Sequence, residues 1–229
     1  MLRRYRTLLH NVGRDYGIPP RMIVALWGVE TDYGQHTGTF NVVAALATLA
    51  YDGRRSQYFR AELHDALKIL QEGHIPWAKM KGSWAGAMGQ CQFMPSSFLR
   101  YAVDYDGDGR KDIWSTSADV VASAANYLSQ SGWQERQRWG RQAKLPRGFV
   151  KRDATLDIRK SLTQWRAIGV RRSNGQQLPQ VSMLGSIVLP DGQHGPAYLV
   201  YDNFRVIMKW NRSQYFALSV GLLADAVVR

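Results

Sequence analysis

Apolar residues recur at helical spacing through the first half of this chain and again at its end. Leu2, Tyr5, Leu8, Leu9 and Val12 predict a short helix over 2–12. A second is predicted over 19–33, opening on Pro19-Pro20, where missing N–H groups are harmless, and leaving at Gly34. Others are predicted over 41–50 and about 55–71, the latter with Phe59, Leu63, Leu67 and Leu70 on one side. Pro95 opens a helix to about Val103, and another spans roughly 117–130 with Gly132 as its stop. Between them GSWAGAMG, at 82–89, carries too much glycine for a helix interior and predicts a loop that brings backbone close to a neighbour.

From about 143 the texture changes. Turn signals stand at Ser173-Asn174-Gly175 and Pro190-Asp191-Gly192, and β-favouring runs at 181–189 and 197–201. Helical spacing returns over about 212–227, with Phe216, Val220, Leu223 and Val227 on one face. The pattern predicts an α+β chain, mainly α. A helical core occupies 1–142, a small β-rich insertion 143–200, and 201–229 return to the core.

One charged residue breaks the pattern. On the second helix Glu30 falls between Leu26 and Ile23, on the apolar arc, whereas Asp32 falls on the opposite, solvated side. A carboxyl facing protein is either paired or kept neutral by desolvation. Glu30 is therefore a core acid bonded to an arginine or an amide, or an acid poised to give up a proton. The helix alone leaves both open.

Composition narrows the partners. Thirty basic against eighteen acidic residues give a formal net charge of +12, which calls for an anionic partner or surface. The basic residues are scattered, without a continuous stripe or zinc-finger spacing, so nucleic acid is not indicated and a wall or membrane surface is. Cys91 is the only cysteine and reads as a small packed residue. No apolar run approaches the roughly 20 residues that span a bilayer, and MLRRYRTLLH lacks the apolar stretch of a signal peptide. Read as an intact product the chain looks cytoplasmic; read as a trimmed one it says nothing of export. Trp27, Trp84 and Trp133 read as core residues.

Residues 104–115, DYDGDGRKDIWS, place Asp104, Asp106, Asp108 and Asp112 at the first, third, fifth and ninth positions of a calcium loop, with Gly109 at the sharp turn. The Arg110 carbonyl stands at the seventh. Ser115 occupies the twelfth, where the standard loop has a bidentate glutamate, which weakens the site. Four carboxylates so close repel one another without a cation, so the expectation is a structural calcium ion and no organic cofactor.

WGVETDYG, then GSWAGAMGQCQFMPSSF, then DYDGDGRKDIW with AANYL, then KWNRSQYF, taken in order over essentially the whole chain, resemble the lytic transglycosylase B family, enzymes that cleave bacterial peptidoglycan. The resemblance implies a lysozyme-like helical core, a helical subdomain and a small inserted β domain. It implies that Glu30 is the single catalytic acid. It implies further that Ser83, Gln92, Tyr127, Trp210, Asn211 and Phe216 line the sugar cleft; Trp210 and Phe216 stand where the family often has tyrosine and lack its hydroxyl. Ser115 departs from the acidic residue that often ends the family's metal loop. The expected location is the periplasm or bacterial cell envelope, with membrane association only through a lipid anchor outside this chain. The expected partners are peptidoglycan strands, with cell-wall synthesis enzymes as candidates.

Hydrolytic glycosidases use two carboxyl groups flanking the bond. The implied reaction needs one. Glu30 protonates the glycosidic oxygen between N-acetylmuramic acid and N-acetylglucosamine, the substrate's N-acetyl group stabilises the cation, and the sugar's own O6 closes to a 1,6-anhydro product without water. The alternatives are a lysozyme-type hydrolase, which needs a second carboxylate and a water, and a non-catalytic wall-binding module.

Overall fold

The computed structural model describes residues 1–228. Its chain falls into two units, Met1–Gln130 with the chain end from Ala224, and Ser131–Leu223. Among the described residues no helix is long and apolar enough to cross a membrane.

The first unit is helical. α1 (Arg6–Tyr16) begins and ends about one turn later than the apolar spacing predicts, because Gly17 (φ 68°) supplies the left-handed stop and its N–H bonds the Gly13 carbonyl. α2 (Pro20–Thr31) starts on Pro20 as expected, but ends before Gly34. α3 (Val42–Tyr51) is capped by Asn41, whose side chain accepts from the Ala44 N–H. α4 (Ser56–Gln71) buries Glu62, Ala66 and Ile69, one position off the predicted stripe, and leaves Leu67 exposed. The reason is chemical: the Glu62 carboxylate accepts from Ser96 N (2.9 Å) and Ser96 Oγ (2.7 Å), at the start of α5 (Pro95–Tyr101). An acid with two such donors can be buried where a leucine would be expected. α6 (Ser117–Gln130) is buried along most of its length, and α1 and α2 both pack on it. Two short strands, β1 (Phe40–Asn41) and β2 (Lys81–Gly82), pair antiparallel with Phe40 opposite Gly82.

The second unit carries the β-rich region. β3 (Gly140–Lys144), β4 (Lys160–Ser161), β5 (Arg171–Arg172), β6 (Leu184–Val188) and β7 (Ala197–Val200) form one antiparallel sheet in the order β4-β6-β7-β3-β5. The turns at Gly175 and Gly192 both have positive φ, as their sequences require. α7 (Leu162–Ile168) lies between β4 and β5 and is not predicted from apolar spacing; it is too short to show a period. Its signal is the capping box Ser161–Gln164, with Gly169 (φ 102°) as stop. Leu162 and Trp165 join Ala143, Val170, Ile187 and Leu199 in a core on one face of the sheet.

α8 (Asp202–Trp210) buries Phe204, Val206 and Ile207, and α9 (Gln214–Ala226) follows. Residues 201–223 thus cluster with the sheet, and only the chain from Ala224 rejoins the first unit.

Candidate active site

Glu30 is half-buried in the last turn of α2, a helix that buries every residue from Met22 to Trp27. Immediately after it the backbone turns sharply. Asp32 (φ 47°), Tyr33 (φ 59°) and Gly34 (φ 91°) are left-handed in succession. Two of the three are not glycine, so the exit from α2 is held in a conformation that side chains disfavour and surroundings must enforce. One enforcing contact is the Tyr33 ring, which lies over Gly28 so closely that a Cβ there would come within 2.8 Å of it. Trp27 stands edge-on to the same ring, with centroids 5.7 Å apart.

The second is Gln90, which sequence reasoning did not single out. Its Oε1 accepts from Trp27 Nε1 (2.9 Å) and its carbonyl from Thr31 Oγ1 (3.0 Å), so it grips α2 on both sides of Glu30. Its Nε2 donates to the Trp114 carbonyl (2.8 Å) and its N–H to the Ile113 carbonyl (2.8 Å), both at the end of the carboxylate loop. Gly34 is obligatory against it: a Cβ would lie 2.5 Å from Gln90 Oε1.

The glycine loop forms a small knot. Gly82 bridges Met88, and Met88 bridges Phe93. Backbone approaches backbone as the composition predicts, since a Cβ on Gly38 would meet the Gly82 carbonyl oxygen at 2.1 Å. Ser83 and Gln92 both lie in this knot. Ser83 Oγ accepts from Ala87 N (3.1 Å) and Ala85 N (3.3 Å), which shapes the loop and leaves the hydroxyl proton to donate outward. Gln92 adopts φ 48° and donates through Nε2 to the carbonyls of Gly89 (2.8 Å) and Thr37 (3.1 Å). Thr37 follows the α2 exit, so the elements carrying Glu30, Ser83 and Gln92 are tied to one another. Cys91, beside Gln92, is buried; burial first and then the Glu30 charge push its thiol up, which makes it inert and puts it within electrostatic reach of Glu30. Tyr127, on α6, joins this group through rings: its centroid is 5.8 Å from that of Phe93 and 4.5 Å from that of Tyr101.

Trp84 corrects the sequence reading. Next to Ser83 and expected in the core, it is 65% exposed. The glycines that let the loop fold on itself leave no room inside for its ring.

Trp210, Asn211 and Phe216 stand in the second unit, where α8 meets α9. Trp210 ends α8, and Asn211 is exposed and accepts from Ser213 N (3.0 Å). Phe216 is half-buried in the first turn of α9.

In the carboxylate loop Asp104, Asp106 and Asp108 offer ligand oxygens that all lie within 4.8 Å of one another. Amide donors surround them: Asp104 accepts from Gly107, Asp108 and Gly109, and Asp108 from Arg110. That donor set, hard oxygens on a turn pinned by glycine, fits a calcium ion. Asp112 is placed differently. Its carboxylate caps the next turn, accepting from Trp114 N (2.8 Å), Ser115 N (2.9 Å) and Ser115 Oγ, so it stands outside the trio. Both ends of the loop are clasped by Asp119, fully buried in the first turn of α6, which accepts from Tyr105 N (2.8 Å) and Asp112 N (2.7 Å). Burial pushes the Asp119 carboxyl up to about 6, against the two amides, with the charges of Asp106 and Asp104 adding to the rise.

A model of the transglycosylase SLT domain matches residues 1–225. The chain belongs to this family. It is 34% identical over 98% of its length to membrane-bound lytic murein transglycosylase B of Escherichia coli, and covers 61% of that protein. SltB3 of Pseudomonas aeruginosa, solved with a NAG-anhNAM-pentapeptide, superposes with a TM-score of 0.96 at 49% identity, covering 98% of this chain and 60% of that one. The E. coli lytic transglycosylase Slt35, solved in complex with calcium, superposes at 0.87 with 33% identity, over 99% of this chain and 72% of that one. The chain thus spans about three fifths of the first two of these relatives. The mainly helical, lysozyme-like fold with a small sheet is the family's, as the sequence motifs imply.

Within this SLT chain, the residues missed by sequence reading are those that act on backbone. Gln90, Asp119 and Glu62 have no period, spacing or repeat to mark them. Only their separations across the fold, such as 63 residues from Gln90 to Trp27, give them a role.

Proposed function

We propose that this SLT chain is a peptidoglycan lytic transglycosylase in which Glu30 is the sole acid and base. The observation that carries the reading is the α2 exit: a half-buried carboxyl at the end of a buried helix, with its neighbours gripped by Gln90 beside the knot of Ser83 and Gln92. Glu30 enters the reaction protonated, as a general acid must. It donates to the bridging oxygen of the N-acetylmuramic acid–N-acetylglucosamine bond, then takes the proton of the O6 hydroxyl as that oxygen closes on the anomeric carbon. No water is consumed. Asp32, the acid nearest in sequence, is exposed and accepts from Gln35 (2.9 Å).

In this reading Ser83, Gln92 and Tyr127 position the saccharide on the first unit, where the exposed Trp84 adds an aromatic face beside Ser83 on which a sugar ring can stack; Trp210, Asn211 and Phe216 are sugar contacts carried by the second unit. Asp104, Asp106 and Asp108, with the Arg110 carbonyl, hold a calcium ion that stiffens the loop behind Gln90. Its role is structural. The substrate places the protein in the bacterial envelope.

Mass spectrometry of soluble products from purified peptidoglycan tests the assignment, with wild type and Glu30→Gln side by side. Wild type should release muropeptides ending in 1,6-anhydro-N-acetylmuramic acid, and Glu30→Gln should lose activity by roughly 10²–10⁴-fold. Products one water heavier would replace the proposal with lysozyme-type hydrolysis.

A further inference from the structure

The sheet of the second unit carries two arginines on its apolar face. Arg141 on β3 stands opposite Leu199 on β7, and Ala143, two residues on, stands opposite Arg172 on β5. Residues two apart on a strand share a face, as do directly paired residues. Arg172, Arg141 and Tyr201, the last two residues beyond Leu199, therefore form a diagonal row on the face that also presents Ala143, Leu199 and Ile187 to the core. The backbone supports this register, since Tyr201 N continues the pairing by donating to the Trp139 carbonyl (2.9 Å).

Each member of the row holds an unmet polar group. Arg141 Nε, Arg172 Nε and the Tyr201 hydroxyl are buried without a hydrogen-bond partner, and Tyr201 is only 1% exposed. The Arg141 guanidinium lies over the Tyr201 ring, 5.6 Å from its centroid. Among the described residues no carboxylate forms an ion pair or hydrogen bond with Arg141 or Arg172. Burial raises the Tyr201 hydroxyl, while Arg141, Arg138 and Arg172 pull the other way, so several cations face it. Buried donors and cations left in this state are costly, and the cost is removed by a partner that only accepts.

We propose that Arg141, Arg172 and Tyr201 form a binding site for a carboxylate, and that its occupant is a carboxylate of the peptide stem carried by the glycan strand. The identity of the occupant rests on the peptidoglycan reading above; the site itself does not. The donors count in its favour. Two guanidinium groups supply donors only, the hydroxyl has a proton to donate as well, and a carboxylate brings two oxygens able to receive them all. The arginines are half-buried, so their outer nitrogens reach the surface while Nε and the phenol lie beneath.

The experiment follows the arginine Nε–H signals of the intact ¹⁵N-labelled protein by NMR. It uses three probes: the stem pentapeptide, the same peptide with every carboxylate amidated, and inorganic phosphate. Arg141→Met and Arg172→Met assign the signals and keep the side-chain volume, and Tyr201→Phe removes only the hydroxyl. The expected result is that both Nε–H signals move with the acid peptide and stay with the amide, and that peptide affinity falls about tenfold or more in each arginine variant and roughly threefold in Tyr201→Phe. Signals unmoved by any probe would overturn the site. Signals moved by phosphate and not by the peptide would overturn the stem as occupant. Wild-type release of anhydro-muropeptides separates the two levels: with release, a silent titration sinks this inference alone, and without release the transglycosylase reading fails whatever the titration shows.

Discussion

Gln90 holds four hydrogen bonds to two stretches of chain, and none of them involves a reacting group. Its consequence for chemistry is positional, because Trp27 and Thr31 bracket Glu30 on α2. Gln90→Leu keeps the size of the side chain and orphans Trp27 Nε1 and the Trp114 carbonyl, a loss of about 1–3 kcal/mol in stability. Misplacing a catalytic acid by a fraction of an ångström acts more on turnover than on binding, so kcat should fall roughly 10–100-fold while KM moves by less than about threefold. Steady-state kinetics on purified strands checks the split; a rise in KM at unchanged kcat would make Gln90 a substrate contact instead. The contrast with Glu30 shows what a sequence can tell at this scale. Glu30 was visible because a charge interrupts an apolar arc, a pattern contained in one helix. Gln90 lies in a loop where any polar residue is at home, and its partners are 63 and 24 residues away.

At the scale of elements, α4 shows how chemistry can move a buried face. Phe59, Leu63, Leu67 and Leu70 make a plausible stripe, yet the helix turns Glu62, Ala66 and Ile69 inward because Glu62 caps α5 from 34 residues away. Removing the cap leaves the Ser96 N–H without its acceptor. Glu62→Ala should cost about 2–4 kcal/mol, which lowers Tm by roughly 5–15 °C in a chain of this size. Glu62→Gln keeps an acceptor and should lose less than half as much; equal losses in thermal melts would mean that packing, not the hydrogen bonds, holds α4 in place. The carboxylate loop makes the complementary case. Its spacing was legible because ligand positions are local, whereas the clasp by Asp119 and the diversion of Asp112 to the next turn depend on how α6 begins. Calcium at a hundred times its Kd should stabilise by about 2.7 kcal/mol, or roughly 5–10 °C. Asp104→Ala should abolish that rise in melts with and without chelator, and a rise that survives in the variant would place the ion elsewhere.

Over the whole molecule the sequence showed a helical region and a β-rich one, and the structure groups Ser131–Leu223 together, a span wider at both ends than the texture marks. α7 and α8 are short, and the apolar run before α8 reads as strand through Tyr201. Residues 201–223 therefore fall with the sheet, a grouping set by tertiary contacts that no local period encodes. Net charge is the property that belongs to no element. The +12 is scattered, so it provides a long-range field and not a docking site. Such a field draws the protein to an anionic polymer and is screened beyond about 8 Å at physiological ionic strength. The stems of peptidoglycan carry carboxylates, and neutral N-acetylglucosamine oligomers do not. Raising salt from about 20 to 300 mM should thus cut the association rate with peptidoglycan sacculi by tenfold or more while binding of the neutral oligomer changes by less than about twofold. Stopped-flow or surface-resonance measurements on the two ligands make the comparison. A parallel fall on both would show salt acting on the saccharide cleft itself, and a flat response on both would show that the basic residues play no part in reaching the wall.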